Sequence, residues 1–496
     1  MKKMTHASRN RWAFSLGSVG RDMVYNLFTM YLMTFIIYTK SLTNAQYAAV
    51  GAIFVACRVF DAVIDPFIGG MVDNTHSRFG KFKPWIFAGM VIASVDLVLL
   101  FSVPLYGWGF VGFLTAGYVV FSASFSLNDI SYWGMLPALS SVQSERHKLV
   151  SVSNICSGAG TAVIVALVPV LSAGQFTIGG NAVRAYAVIA AFSAVFFIGF
   201  QSITLFWVKE PREVIDDASP DEKFGFKATV QTVVRNDQLM WASFVLLLQC
   251  ILGGLGSAGL SMAYIYIRYG YNGMLMPLSA AGGISTAFIT LFLPQILRRI
   301  TRKRLIFLSC LSLAVGSLIM LISGLMPKDP MLPGFLVFTF ASVFTFSGIA
   351  AFYQVLFIDL ANTVEYNEWK TGHRSESLIF SMRPLMVQIS SAVTQLIIMV
   401  IFLALGITQV NKGISDLENA AERMLISSEE KLAGIQDILN AVSGGKATAL
   451  LVCLAVLPTL IAFIGYWVYK KKFKLDEETY ENILKDLKER ESVHSA

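Results

Sequence analysis

Long apolar stretches separated by short polar ones run through the whole chain. Most of them reach about 20 residues, the length that a helix needs to cross a hydrocarbon core of about 30 Å. The pattern predicts an all-α polytopic membrane protein with twelve transmembrane helices in two six-helix bundles. The stretches cover residues 12–38, 45–72, 85–106, 109–137, 149–172, 183–208, 238–267, 274–297, 305–326, 332–359, 377–406 and 446–470.

One long charged segment, residues 209–237, divides the chain into two halves with six apolar stretches each. We therefore predict an N-terminal bundle at 1–208, a cytoplasmic middle loop at 209–237 and a C-terminal bundle at 238–470. A long polar insertion, 407–445, precedes the last span, and a charged tail, 471–496, follows it.

The distribution of Lys and Arg predicts the orientation of the spans. With both termini inside, the cytoplasmic segments hold 28 of the 39 Lys and Arg residues and the outside segments hold 7. Positive residues accumulate on the cytoplasmic side of membrane proteins, so both termini are predicted to be cytoplasmic. The insertion 407–445 is then extracytoplasmic, and its helical apolar period predicts a short surface helix. The tail 471–496 is expected to be solvated.

Composition and charge exclude several classes of protein. The chain is 55% hydrophobic and only 14% charged, with a mean hydropathy of +0.62, which excludes a soluble enzyme and a disordered protein. The net charge is +7, but the Lys and Arg residues lie between apolar stretches and not on a basic face of a soluble fold. We therefore expect no nucleic-acid partner. Five single cysteines show no metal-ligand spacing, and the sequence has no nucleotide-binding or nucleophile motif. We expect neither enzyme activity nor a cofactor.

Four carboxylates lie inside the predicted spans of the first half. A rise of about 1.5 Å per residue places Asp22, Asp61, Asp65 and Asp129 about 10 to 16 Å from the cytoplasmic side. An ionisable group at that depth costs about 2.5 to 3.5 kcal/mol, so each one needs a function or a partner. Two halves of six helices are typical of carriers that bind substrate near the membrane midplane.

Helical spacing groups these side chains on two faces. Arg58, Asp61 and Asp65 follow an i, i+3, i+7 pattern and therefore share one face of the second span. A face of the fourth span carries Ser126, Asp129 and Trp133. A cation could bind between the two faces.

Clustered carboxylates in a low dielectric cannot all stay ionised unless a cation or a proton joins them. This favours a coupled carrier, whose site changes state when it is neutralised. The alternative is structural, because Arg21 and Arg58 could satisfy Asp22 or Asp129 as ion pairs without any coupling ion.

The turn after the second span, GGMVDNTHSRFGKFKPW, resembles the loop motif of the major facilitator superfamily. Gly70 and Gly80 would allow close helix approach and a tight turn, while Asp73 and Arg78 could latch helix ends in one of two states. We include Arg58 in this conformational latch. The alternative is that these residues are only positive-inside charges.

Three stretches carry a closer resemblance. RVFDAVIDPFIGGMVDNTHSRFGKFKPW, NDISYWGMLPAL and NTVEYNEWKTGHRSES resemble the helix-2, helix-4 and pre-helix-11 motifs of the glycoside-pentoside-hexuronide:cation symporters, which include the melibiose permeases. The resemblance implies a secondary active transporter of the major facilitator fold in the cell membrane. It would carry a small-molecule sugar with a proton or sodium ion, work among membrane lipids, and be a monomer.

The resemblance also implies roles for single residues. The cation site would comprise Asp61, Asp65 and Ser126, and Na+ would be the only metal ion that this site could hold. Carboxylates suit sugar hydroxyls, and an indole ring suits the apolar side of a pyranose. The expected substrate-binding residues are Asp22, Tyr25, Asn26, Asp129, Trp133, Asn154, Gln388 and Arg383.

The chain departs from the melibiose carriers at several positions. Ile64 stands between the two helix-2 acids where sodium-using carriers have Asn, and this loss of an oxygen favours a proton. Asn154 and Gln388 replace an Arg and a Lys, so the sugar contacts must differ. Arg383 could bind an acidic substrate such as a hexuronide or, alternatively, could pair with Asp359 or Glu376. The sequence leaves Asp96 without an assigned role.

A second transport function stays open at this point. A related eukaryotic branch shares the helix-2 acids, so the alternative is a carrier of a lysophospholipid or another amphiphile.

Overall fold

The computed structural model describes residues 6–75, 77–139, 143–208, 236–256, 258–372, 379 and 382–494. All regular structure in these residues is helical, as predicted. The chain divides into two compact units. Unit 1 comprises residues 1–221, 265–276 and 402–442, and unit 2 comprises 222–264, 277–401 and 443–496.

The first seven helices belong to unit 1. They are α1 (His6–Asn26), α2 (Leu32–Thr39), α3 (Asn44–Asp73), α4 (Lys83–Ser102), α5 (Gly107–Leu139), α6 (Gln143–Ser172) and α7 (Ala182–Trp207). A π-helical turn, Leu27–Tyr31, joins α1 to α2, and a 3-10 turn, Ile178–Gly180, precedes α7.

The remaining helices follow the middle loop. They are α8 (Asp237–Leu255), α9 (Ala258–Tyr269), α10 (Leu275–Leu297), α11 (Arg302–Leu325), α12 (Met331–Thr371), α13 (Met382–Ala404), α14 (Ile407–Glu422), α15 (Ser428–Asn440), α16 (Gly444–Lys472) and α17 (Glu477–His494). Both α14 and α15 belong to unit 1, together with the end of α9.

Ten segments of the described residues are helical, long and apolar enough to cross a membrane. The first two of the twelve predicted spans are not among them. Both of these spans carry charged residues, Arg21 and Asp22 in the first and Arg58 and Asp61 in the second, and charged residues lower the mean hydropathy of a span. The structure therefore supports ten spans by length and composition.

Close backbone contacts position α1 in unit 1. A Cβ atom at Gly20 would lie 2.5 Å from the carbonyl oxygen of Phe196 in α7, and one at Gly160 in α6 would lie 2.2 Å from that of Val19. Small residues let membrane helices approach in this way. The contacts hold α1 against α6 and α7 and fix the direction of the polar side chains near its C-terminal end.

Unit 2 has its own apolar core, which includes Leu246, Cys310, Phe352 and Val355. Its last helix, α17, is not a solvated tail. Ile483 is buried in the core, and the Trp369 indole donates to Asp486 at 3.0 Å. The prediction of a solvated tail is therefore wrong, because α17 has an apolar face that packs on the bundle.

The insertion between α13 and α16 also differs from its prediction. Instead of one short surface helix it forms two, α14 and α15, with buried residues on both. A capping box starts α15, where the Ser427 hydroxyl accepts from the Glu430 N–H and the Glu430 carboxylate accepts from the Ser427 N–H.

Candidate functional site

The C-terminal end of α1 carries three predicted site residues, Asp22, Tyr25 and Asn26, directly before the π-helical turn. Such turns often occur at functional sites in helices. The Asn26 amide donates to the Asp22 carbonyl at 2.7 Å and to the Thr161 hydroxyl of α6 at 2.9 Å. Asn26 is 8% exposed and held by both hydrogen bonds, and its role in substrate binding stays a prediction.

Arg21 joins the two predicted sugar-site carboxylates. Its Nη2 donates to Asp22 at 2.9 Å, and its Nη1 donates to Asp129 of α5. The guanidinium carbon also lies 4.9 Å from the ring centroid of Trp133 and 5.4 Å from that of Tyr132. A planar cation that forks to two carboxylates and stacks on aromatic rings is held in one orientation.

The two carboxylates differ in exposure. The Asp22 side chain is 8% exposed, and its second oxygen accepts from the Ser157 hydroxyl of α6. The Asp129 side chain is 40% exposed. A carboxylate offers about four lone-pair sites, so Asp129 keeps capacity for hydroxyl donors beyond its ion pair with Arg21. Asp129 is the accessible acceptor of the cluster.

Aromatic surfaces lie beside this acceptor. Trp133 is half-buried, with its ring centroid 5.6 Å from that of Tyr132 in an edge-to-face contact. Tyr25 is 38% exposed and stacks on Phe125 with a centroid distance of 5.2 Å. An accessible carboxylate next to rigid aromatic faces suits a ligand with hydroxyls on one side and C–H groups on the other.

The second charged cluster lies on α3. Asp61 is buried and lies 3.5 Å from the Arg58 guanidinium, and it accepts a hydrogen bond from Ser122 of α5. Ser122 lies one helical turn before Ser126, whose predicted role as an oxygen ligand of the cation stays a prediction. Asp65 is half-buried and close enough to act electrostatically on Asp129.

The formal charges of the two clusters do not balance. Arg21 and Arg58 supply two positive charges, whereas the four carboxylates supply up to four negative charges. The ion pairs of Arg21 with Asp22 and Asp129, and of Arg58 with Asp61, agree with the structural alternative for three of the four carboxylates. A coupling cation or proton stays a prediction, favoured by the cost of excess negative charge in a low dielectric.

The predicted latch is only partly assembled. Gly80 has a φ of +106°, so the tight turn is confirmed there, but a Cβ at Gly70 would meet open space, and the close helix approach predicted at Gly70 is not found. Arg78 is exposed, 4.7 Å above the Phe79 ring. The side chain of Asp73 lies outside the described residues.

The other predicted residues lie apart from these clusters. Asn154 is exposed on α6. Gln388 is half-buried on α13 in unit 2. The Arg383 Nε donates to the Tyr353 hydroxyl at 2.8 Å, and its guanidinium lies 5.2 Å from the Phe357 ring.

The alternative pairing of Arg383 with Asp359 is wrong, because Asp359 accepts from Arg302 and Tyr469. Glu376, the other suggested partner of Arg383, lies outside the described residues. Asp96, which had no assigned role, is buried in α4 and faces Gly117 of α5.

A family model described as MFS/sugar transport protein matches residues 13–477. The chain belongs to this family. The kinship with glycoside-pentoside-hexuronide:cation symporters is thereby confirmed, and the protein is a multi-span membrane transporter rather than an enzyme.

Several sugar carriers are similar in sequence. The lactose permease of Lactobacillus helveticus is 25% identical over 96% of this chain and 71% of its own length. The raffinose carrier protein of Pediococcus pentosaceus is 28% identical over 80% and 63%. The isoprimeverose transporter of Lactiplantibacillus pentosus is 26% identical over 78% and 79%. The chain thus spans less than two thirds of the raffinose carrier.

Solved transporter structures share the fold. A bacterial homologue of the human lysosomal transporter Spinster has a TM-score of 0.60 at 12% identity and covers 95% of this chain and 99% of its own. A D-xylose-proton symporter has a TM-score of 0.58 at 12% identity and covers 92% and 98%. These matches confirm the major facilitator fold.

Sequence reasoning missed three hydroxyls in this sugar-transporter site. Ser122, Ser157 and Thr161 hold Asp61, Asp22 and Asn26, respectively. A partial signal exists for Ser122, which lies seven residues before Asp129 and therefore on the same helical face. No comparable signal marks the two residues of α6.

Proposed function

We propose that this protein is a cation-coupled symporter that carries a glycoside, pentoside or hexuronide into the cell by alternating access. Both termini face the cytoplasm, and the carrier works as a monomer. The observation that supports the substrate class most directly is the accessible carboxylate of Asp129, tied to Arg21 and flanked by Trp133.

Each residue of the sugar subsite has a distinct role in this proposal. Asp129 accepts hydrogen bonds from substrate hydroxyls, and charged acceptors make the stronger ones. Trp133 packs its indole face against the sugar ring. Tyr25 extends the aromatic surface on the other side. Asp22 acts indirectly, since its oxygens hold Arg21 and Ser157.

We propose a proton as the coupling ion. Asp61 already holds Arg58 and Ser122, and Ile64 supplies no side-chain oxygen, so the described side chains offer sodium few neutral ligands. A proton needs only one carboxylate oxygen. With more carboxylates than guanidinium groups in the two clusters, protonation also lowers the cost of moving the site between states.

Arg383 supports the inclusion of acidic sugars, the hexuronides, among the substrates. Its guanidinium is held through Nε by Tyr353, and no carboxylate pairs with it among the described residues, so its two terminal amino groups keep donors for an anion. A guanidinium fork matches a carboxylate in two parallel hydrogen bonds. We propose that Arg383 selects for a hexuronide carboxylate.

Uptake by proteoliposomes tests the function. Labelled neutral glycosides, pentosides and glucuronides are offered under an imposed proton or sodium gradient to wild type and to Asp129→Asn. We expect one sugar class to accumulate with one gradient, and the variant to lose at least about tenfold in uptake, about 1.4 kcal/mol of binding. The exposed Asp416→Asn variant on α14 is the matched control.

Two further results bear on the proposal. If Arg383→Gln lowers uptake of uronides but not of neutral glycosides, the proposal that Arg383 selects for a hexuronide carboxylate is supported. If no sugar moves under either gradient, or if lysophospholipids compete with uptake, the sugar assignment fails and an amphiphile carrier replaces it.

A further inference from the structure

The insertion between α13 and α16 folds back on itself as a helical hairpin, residues 407–440, which we term the outer hairpin. Its two helices approach closely at small residues. A Cβ at Gly413 would lie 3.0 Å from Ile438, and one at Gly434 would lie 3.1 Å from Leu417. The outer hairpin is therefore a packed element of unit 1 rather than a loose surface loop.

A buried ion pair holds the outer hairpin to the start of α7. The side chains of Glu418 and Lys431 are 0% and 1% exposed, with 3.2 Å between Nζ and Oε1. Glu418 accepts from the Ala182 N–H at 2.6 Å, and Lys431 donates to the Gly180 carbonyl at 2.9 Å. A carboxylate at a helix N-terminus is also favoured by the helix dipole.

A second set of polar contacts lies where α2 ends. The Ser41 N–H donates to the Ser415 hydroxyl at 2.7 Å, and the two hydroxyl oxygens lie 3.1 Å apart. The Asn419 amide donates to the Ser41 hydroxyl at 2.9 Å.

A third set lies close to the starts of α5 and α7. The Tyr106 hydroxyl donates to the Glu422 carboxylate at 3.1 Å, and Arg184 donates to the Glu422 carbonyl at 3.1 Å. The end of α2 and the starts of α5 and α7 thus all form hydrogen bonds with the outer hairpin.

Very short connections join this element to the next helices along the chain. Two residues separate Ala404, the end of α13, from Ile407, and three separate Asn440 from Gly444, the start of α16. At about 3.3 to 3.6 Å per residue, such linkers have almost no slack. Most of α13 and all of α16 belong to unit 2, whereas the outer hairpin belongs to unit 1.

We propose that the outer hairpin is a releasable clasp, which must leave its polar seat on unit 1 during each transport cycle. This inference rests on the proposed alternating-access function, in which one bundle rocks against the other. Linkers of two and three residues can bend but can lengthen very little, so they limit how far the ends of α13 and α16 can move from the outer hairpin. The seat is the place that yields, because its polar groups can exchange their hydrogen bonds for bonds to water when the outer hairpin leaves.

A reversible crosslink tests the clasp. Ser41→Cys with Ser415→Cys places two thiols where hydroxyl oxygens are 3.1 Å apart, which suits a disulfide. We expect oxidation to lower uptake at least about tenfold and reductant to restore it. Maleimide labelling measures the crosslinked fraction, and oxidised wild type controls for the five native cysteines.

A matched crosslink inside the outer hairpin distinguishes two effects of a disulfide. One is blocked release of the outer hairpin from its seat, and the other is stiffening of the outer hairpin itself. Gly413→Cys with Ile438→Cys ties α14 to α15 but leaves the seat free, so oxidation should leave uptake near the wild-type rate. Full uptake by the oxidised Ser41–Ser415 variant would overturn the clasp while leaving the symporter function intact. Loss of uptake in wild type would instead contradict the proposed function itself.

Discussion

Arg21 of α1 and Asp129 of α5, 108 residues apart in sequence, form an ion pair beside the Trp133 indole. The pair gives the site a fixed charge pattern before any substrate arrives. Arg21 also pairs with Asp22, so one guanidinium joins carboxylates of two helices.

Replacing Arg21 should weaken substrate binding. In Arg21→Gln, Asp22 and Asp129 lose their shared cation and repel each other, so we expect the substrate Kd to rise about tenfold or more. Arg21→Lys keeps the positive charge but cannot donate from a planar fork to both carboxylates. We expect its substrate Kd to lie between those of wild type and Arg21→Gln. Equilibrium binding of labelled sugar measures the effect, and a wild-type Kd in Arg21→Gln would contradict it.

Two serines of α5 should differ in their effect on coupling. Ser122 donates to Asp61, whereas Ser126 is a predicted oxygen ligand of the coupling cation. We predict that Ser122→Ala shifts the proton concentration for half-maximal uptake by about tenfold, while Ser126→Ala leaves it unchanged. Uptake measured as a function of external pH distinguishes them, and equal effects would place the coupling site elsewhere on α5.

The buried pair of Arg302 and Asp359 should dominate the stability of unit 2. Their side chains are 7% and 0% exposed, and Arg302 also donates to Glu477 and to the Leu475 carbonyl. Removing one partner of a buried pair costs about 3 to 5 kcal/mol. We expect Arg302→Met to lower the Tm of the purified carrier by several degrees.

Two variants control this experiment. The double variant Arg302→Met, Asp359→Leu should recover much of the lost stability, because no charge is left buried. Lys303→Met changes the exposed neighbour of Arg302 and should leave the Tm unchanged. A double variant no more stable than Arg302→Met would show that Arg302 acts mainly through its contacts with α17.

Lys40, directly after α2, should make stability depend on pH. Burial lowers the pKa of Lys40 to about 8, although Glu422 opposes the shift. Between pH 8 and about 10.5 the folded protein therefore binds fewer protons at this site than the unfolded chain. The free energy of unfolding should rise with pH in that window, by at most about 1.4 kcal/mol per unit.

The Tm of wild type and of Lys40→Met, recorded from pH 7 to 10.5, measures this dependence. As pH rises above 8, the Tm of wild type should increase relative to the Tm of Lys40→Met. Lys412→Met, an exposed lysine of α14, should parallel wild type throughout. Parallel curves for all three proteins would show that Lys40 keeps an ordinary pKa.

The membrane class, the apolar stretches and the candidate site residues were predictable from the sequence alone. Hydropathy and helical period are local properties, so the stretches and the shared face of Arg58 and Asp61 can be deduced without a fold. The family motifs added the roles expected of Asp129 and Trp133. The tight turn at Gly80 was likewise predictable, because its signal is also local.

The ion-pair partners of the carboxylates depend on how the helices pack. Arg21 could have paired with either acid, and it pairs with both. The choice of Ser122 over Ser126 depends on how α5 packs against α3, which the serines themselves do not encode. The docking of α17 and of the outer hairpin was missed for the same physical reason. The contacts of both elements join segments far apart in sequence, and the periodicity of one segment does not indicate which other segment it packs against.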